Sequence, residues 1–208
     1  MSPDARFAIY FSPPSDSPLA REAAAWFALP EAQPHTISPR HYGFHATLKP
    51  PFALQNGRTA DDLRQALQSF AASQTSLNLP PLQVSALGRF IALTLSAPCP
   101  PLDELAARCV LEFEPFRRPA PRPEDGLTPR QIELLRLHGY PYVLDQWKFH
   151  MTLTSSIANE PTRAELLHTL TRHFTALHPV PLTDLCLFTQ PDPQTPFTLT
   201  ARFPCSQP

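Results

Sequence analysis

The sequence predicts an α+β fold with antiparallel sheets, built as a duplicated, two-lobed unit. Two observations carry this. Segments with helical and with strand periodicity are mixed, without the regular alternation of a doubly wound parallel sheet. In addition, Phe44-His45-Ala46-Thr47-Leu48 and Phe149-His150-Met151-Thr152-Leu153 agree at four of five positions, 105 residues apart in a chain of 208. Internal similarity at half-length suggests duplication.

The elements follow in order. Phe7 to Phe11 reads as a short strand, with Tyr10 on the face opposite Phe7, Ile9 and Phe11. Pro18 to Leu29 has helical composition and follows Ser17, a suitable N-cap. Tyr42 to Leu48 is a strand candidate. Ala60 to Ala72 is a helix, with Leu63, Leu67 and Phe70 on one face and Thr59 as its cap. Leu77 to Ser96 contains two strands, the second Phe90 to Leu95. Pro101 to Phe113 is helical, with Leu102, Leu105, Cys109 and Phe113 as the apolar stripe.

Arg117 to Gly126 is a loop joining two halves, so that residues 1–208 form a single two-lobed domain with its connecting loop near 117–127. Thr128-Pro129 opens a helix in the preferred cap-then-proline order and runs to about Leu137. Gln146 to Thr154 reads as a strand and Pro161 to Leu177 as a helix. Strands follow near Leu182 to Phe188 and Pro196 to Phe203.

Composition narrows the function. With 17 Lys and Arg against 18 Asp and Glu, the net charge is −1. No broad field attracts polyanions, so phosphate recognition must be local. No apolar run approaches the ~18 residues of a membrane span, and the segment from Phe7 is too short for a signal-peptide core. A soluble, cytoplasmic monomer with no membrane partner is the expectation. Cys99, Cys109, Cys186 and Cys205 show no C-x-x-C spacing, and no metal or other cofactor is expected. The 28 prolines are spread between periodic segments and mark element boundaries rather than disorder.

The pentads carry the chemistry. On a strand, alternate residues share a face. His41, Gly43, His45, Thr47 and Lys49 then face one way in the first segment; Gln146, Lys148, His150, Thr152 and Thr154 do so in the second. Each polar face presents a histidine, a hydroxyl and a lysine. His173 and Thr175 repeat the spacing in a helical segment, where i and i+2 diverge by about 200°, and are set aside.

The paired His-x-Thr motifs resemble those of the 2H phosphoesterase superfamily. The stretches Arg40 to Phe52, His138 to Tyr142 and Phe149 to Thr154 resemble one poorly characterised branch, encoded beside bacterial phosphonate-degradation genes. The resemblance implies antiparallel sheets around a central cleft, with helices packed outside and both motifs facing the cleft.

It further implies His45 and His150 as general acid and base, with Thr47 and Thr152 donating to non-bridging phosphate oxygens. Tyr10, Lys49, Lys148 and Tyr142 are candidate substrate contacts, and Tyr140 is a candidate for stacking. The expected reaction is metal-independent hydrolysis of a small cyclic or linear phosphodiester, such as a ribosyl cyclic phosphate. One alternative is processing of RNA ends bearing 2′,3′-cyclic phosphate; another is a non-catalytic module binding nucleotides or phosphate esters.

Overall fold

The structure, a computed structural model, describes residues 5–175 and 179–207. His178 and the predicted end of the last helix at Leu177 lie outside them.

Nine strands and six α-helices are formed among the described residues. The first third holds β1 (Arg6–Phe11), α1 (Pro18–Ala28), α2 (Ile37–Tyr42), β2 (Ala46–Ala53) and α3 (Ala60–Ala72). The middle holds β3 (Leu77–Asn78), β4 (Leu82–Leu87), β5 (Phe90–Leu95), α4 (Pro100–Glu112) and α5 (Pro129–His138). The remainder holds β6 (Met151–Thr152), α6 (Glu160–His173), β7 (Pro181–Leu182), β8 (Asp184–Gln190) and β9 (Thr198–Pro204).

Local chemistry sets the helix starts. Ser17 accepts from the Ala20 amide. Thr59 and Thr128 each close a reciprocal capping box, with Asp62 and Gln131, which satisfies amides that the first helical turn leaves without partners.

Seven strands form one antiparallel sheet in the order β4-β5-β6-β2-β1-β8-β9, and β3 pairs with β7 separately. The strands fall into two groups, β4-β5-β6 and β2-β1-β8-β9, which meet where Ala46 of β2 pairs with Met151 of β6. Each group draws on both halves of the chain: β6 lies against β5, and β8 against β1.

α3 covers β8 and β9, α4 covers β2, and α6 lies over β4 and β5. Their apolar stripes, including Leu67, Leu102, Cys109 and Leu170, meet Ile9, Leu48, Leu93, Met151 and Leu187 in the main core. Each large side chain buried there contributes roughly 1.5–3 kcal/mol. The opposite face carries a smaller cluster of Ala8, Tyr10, Cys186, Phe188 and Phe197, and beyond it the polar residues of the two pentads. No helix among the described residues is long and apolar enough to cross a membrane.

Several elements differ from the sequence expectation; the last helix stops at His173, leaving Phe174 and Thr175 outside it. The segment predicted as a strand from Tyr42 begins at Ala46, because residues 37–42 form α2 and Gly43 (φ +76°) turns the chain out of it. Leu77 to Ser96 yields three strands, the first pairing with β7. The long strand expected from Gln146 shrinks to Met151–Thr152, after a 3₁₀ turn at Leu144–Gln146. There the Lys148 carbonyl accepts from the His150 ring instead of from a neighbouring strand.

Candidate active site

The site begins with strand register. Ala46 opposite Met151 sets His45 across from Thr152 and Thr47 across from His150. Cβ atoms opposed in this way lie about 4.5–5.5 Å apart. The two His-x-Thr motifs therefore form a square on one face of the sheet, across the junction of the strand groups. Trp147 fastens the junction, its indole N–H donating to the Thr47 carbonyl at 2.8 Å.

Both imidazoles are oriented in the same way. His45 Nδ1 lies 2.9 Å from the Gly43 carbonyl, and His150 Nδ1 lies 2.8 Å from the Lys148 carbonyl. A carbonyl can only accept, so Nδ1 carries the proton in each ring, and Nε2 is the bare nitrogen of the neutral form. Gly43 achieves this with a positive φ, and any Cβ there would press on the Phe188 ring at 3.2 Å.

Thr47 Oγ1 lies 3.2 Å from His45 Nε2. Its hydroxyl donates to that nitrogen while the ring is neutral. Tyr10 stacks on His45 with ring centroids 3.6 Å apart and an interplanar angle of 16°. Its hydroxyl is buried without a hydrogen-bond partner among the described residues.

The electrostatics separate the two histidines. Burial, with the nearby His150 adding to it, lowers the His45 pKa to about 4, against the opposing hydrogen bond to Gly43. Burial also lowers the His150 pKa below the usual imidazole value.

Both pairs open into one cavity of about 270 Å³, also lined by Arg6, Tyr10, Tyr42, Arg122 and Tyr140. No Asp or Glu is among the described residues lining it. Nor do three or more His, Cys, Asp or Glu side chains converge among the described residues to hold a metal ion.

The structure brings Tyr10 to the pocket with the two pairs and moves three other candidates away. Lys49 does not share the face of His45 and Thr47. Tyr10 pairs with Thr47 but Ile9 pairs with Lys49, so a β-bulge at Leu48 reverses the alternation. The lysine turns into the core, 1% exposed, where Nζ donates to the Val110 carbonyl and to Glu114.

The Lys148 side chain is exposed and lines a different depression, beside Ser96 and Asp103; only its carbonyl serves the site. Tyr142 is 47% exposed and lies against Tyr140, which takes the pocket position. Arg6 and Arg122 were not anticipated. Arg6 had a signal, because it falls on the same face of β1 as Tyr10. Arg122 had none beyond its place in the proline-rich loop.

The fold occurs in solved proteins. E. coli LigT in complex with 3′-AMP has a TM-score of 0.52 at 15% identity, over 97% of this chain and 98% of LigT. A protein described as a phosphoesterase gives 0.52 at 15%, over 99% and 100%. At these identities the likeness is one of fold alone.

Residues 47–198 match the family described as "Protein of unknown function (DUF1045)", and the chain belongs to it. The match includes Thr47 and the whole second motif. Two curated relatives are each called ribose 1,5-bisphosphate phosphokinase PhnN. The one from Janthinobacterium sp. (strain Marseille) is 33% identical over 97% of this chain and 51% of its own length. The one from Laribacter hongkongensis (strain HLHK9) is 31% identical over 93% and 50%. The chain thus spans about half the length of the curated relatives it matches.

Proposed function

We propose that this protein is a 2H-type phosphoesterase that hydrolyses a small cyclic or linear phosphodiester through two-histidine acid–base catalysis. The observation that carries this is the square of two His/Thr pairs, each ring held through Nδ1 so that Nε2 is available to one pocket. A pure binding module needs no such pair of matched proton carriers.

The lower pKa makes His45 the base. Its neutral Nε2 takes a proton from water as the water oxygen bonds to phosphorus. The ring ester P–O bond breaks, and the departing oxygen receives the Nε2 proton of protonated His150. A phosphomonoester results, with His45 protonated and His150 neutral; exchange with solvent restores both. Thr47 rotates from His45 to a non-bridging oxygen, and Thr152 donates to another, stabilising the charge of the transition state. These groups complete the cycle without a metal.

The substrate we favour is a ribosyl cyclic phosphate, in phosphonate metabolism. Ring opening yields a ribose phosphate, the type of compound named in the relatives' phosphokinase activity. None of the five glycines here precedes lysine, as a phosphate-binding loop would require, so we assign that kinase activity to the part of the relatives outside the match. The fold's occurrence with 3′-AMP in LigT favours a second substrate class, RNA 2′,3′-cyclic phosphate ends. The four cysteines, all free thiols, support a reducing, cytoplasmic setting.

The test is turnover of 2′,3′-cyclic nucleotides and a ribosyl cyclic phosphate in EDTA, alongside His45→Ala and His150→Ala. Turnover lost by at least about 100-fold in either variant is expected. Activity only with added metal refutes the mechanism. Binding without turnover of any substrate moves the assignment to a binding module.

A further inference from the structure

The pocket holds more positive charge than its histidines supply. Arg117, Arg130, Arg136, Arg163 and Arg202 are each paired with a carboxylate. Arg6 and Arg122, which line the pocket, make no ion pair among the described residues.

Arg6 is held by a neutral partner. Its Nε donates to Gln190 Oε1 at 2.6 Å, and its guanidinium sits 5.4 Å from the Phe197 ring centroid. Gln190 is fully buried, and its amide nitrogen is engaged by the Thr195 carbonyl and His41 Nε2. Only the amide oxygen remains for Arg6. This leaves the terminal nitrogens and the full charge of Arg6 for a ligand.

Arg122 stands between Pro121 and Pro123, which restrict its backbone. Glu124, the nearest acid in sequence, is drawn away by Arg136 at 2.7 and 2.8 Å. The third observation is Tyr10, wholly buried on the pocket side with a hydroxyl that has no partner among the described residues. An orphaned buried donor is costly unless a ligand supplies its acceptor.

Arg6 and Tyr10 lie four residues apart on one face of β1, about 13 Å along the strand. Tyr10 stacks on His45, so Arg6 stands towards the end of the pocket away from the reacting ester.

We propose that Arg6, Arg122 and the Tyr10 hydroxyl form a second-anion subsite, selecting a small cyclic phosphodiester that also carries a separate phosphomonoester. The subsite presupposes the hydrolase reading above and narrows its substrate.

The experiment compares kcat/KM for adenosine 2′,3′-cyclic phosphate with that for its 5′-phosphorylated counterpart. Wild type, Arg6→Ala, Arg6→Lys and Arg122→Ala are tested. Wild type favours the 5′-phosphorylated compound by about tenfold or more, the scale of charge-assisted hydrogen bonds. The ratio falls towards one in both alanine variants, chiefly through KM, and is partly kept in Arg6→Lys. Arg122 is exposed, so its variant retains a readout if Arg6→Ala does not fold.

A wild-type ratio near one, or a ratio unmoved by Arg122→Ala, overturns the subsite while leaving the hydrolase intact. If neither compound is turned over, the hydrolase reading fails, and calorimetric binding of adenosine 3′,5′-bisphosphate against 3′-AMP decides. Tighter bisphosphate binding that Arg122→Ala weakens about tenfold upholds the subsite; equal binding of the two removes it.

Discussion

Acidification from pH 7 to 4.5 tests the environment of His45 through stability alone. In the unfolded chain this imidazole takes up a proton near 6.5, whereas in the folded protein burial and His150 defer that step to about 4. The depressed value fixes the sign. Above 6.5 neither state is protonated and nothing is lost. As pH falls from 6.5 to about 4, the unfolded chain binds a proton that the folded chain refuses, so the folded state loses ground.

At about 1.4 kcal/mol per pH unit, the loss reaches roughly 3 kcal/mol near pH 4. At pH 4.5 it is between about 2 and 3 kcal/mol. Urea unfolding, followed by the fluorescence of Trp26 and Trp147, measures it at the two pH values. His45→Gln removes the titrating group, so its acid-induced loss should be smaller than that of wild type by 2–3 kcal/mol. His150 acts in the same direction and is common to both proteins. Equal losses in wild type and His45→Gln, within about 0.5 kcal/mol, would refute the stated protonation of this ring.

Other expectations follow from the same structure. If His45 is base and His150 acid, kcat/KM should be bell-shaped, rising through about 4 and falling through the lowered pKa of His150; steady-state rates from pH 3.5 to 9 should peak below 6.5. Thr47→Val and Thr152→Val should each reduce kcat by about tenfold or more. Glu114→Ala strands the buried Lys49 and should cost roughly 3 kcal/mol in chemical denaturation, more than Lys49→Met, which removes the buried charge itself. Thr128→Ala removes a capping box and should cost about 1 kcal/mol in the same measurement.

Legibility in the sequence followed how local the determinant was. α3 was bounded correctly because Thr59 and its stripe lie within fourteen residues, and the four stripe residues named for α4 are all buried. The polar faces of both pentads were visible for the same reason. What escaped depends on partners far along the chain. Lys49 looked like a neighbour of Thr47 until the bulge against β1 reversed it. The short β6 reflects Trp147 and His150 bonding to backbone carbonyls that a longer ladder would have used. α2, only six residues long, was not anticipated, and the strand was begun at its last residue, Tyr42. Tyr140 and Tyr142 could not be told apart by spacing, because the packing of their loop decides which one enters the pocket.

The pairing of β1 with β8 has a consequence for how the protein is made. Arg6 meets Gln190 across that pair, 184 residues further along the chain, so β1 leaves the ribosome well before its partner strand is made. At about 5–20 residues per second the interval is on the order of 10–40 s. During that time the apolar residues Phe7, Ile9 and Phe11 have no β8 beside them. Nascent chains halted before residue 184 therefore cannot complete the central sheet, and β1 is then a strand that chaperones, or other nascent copies, can capture.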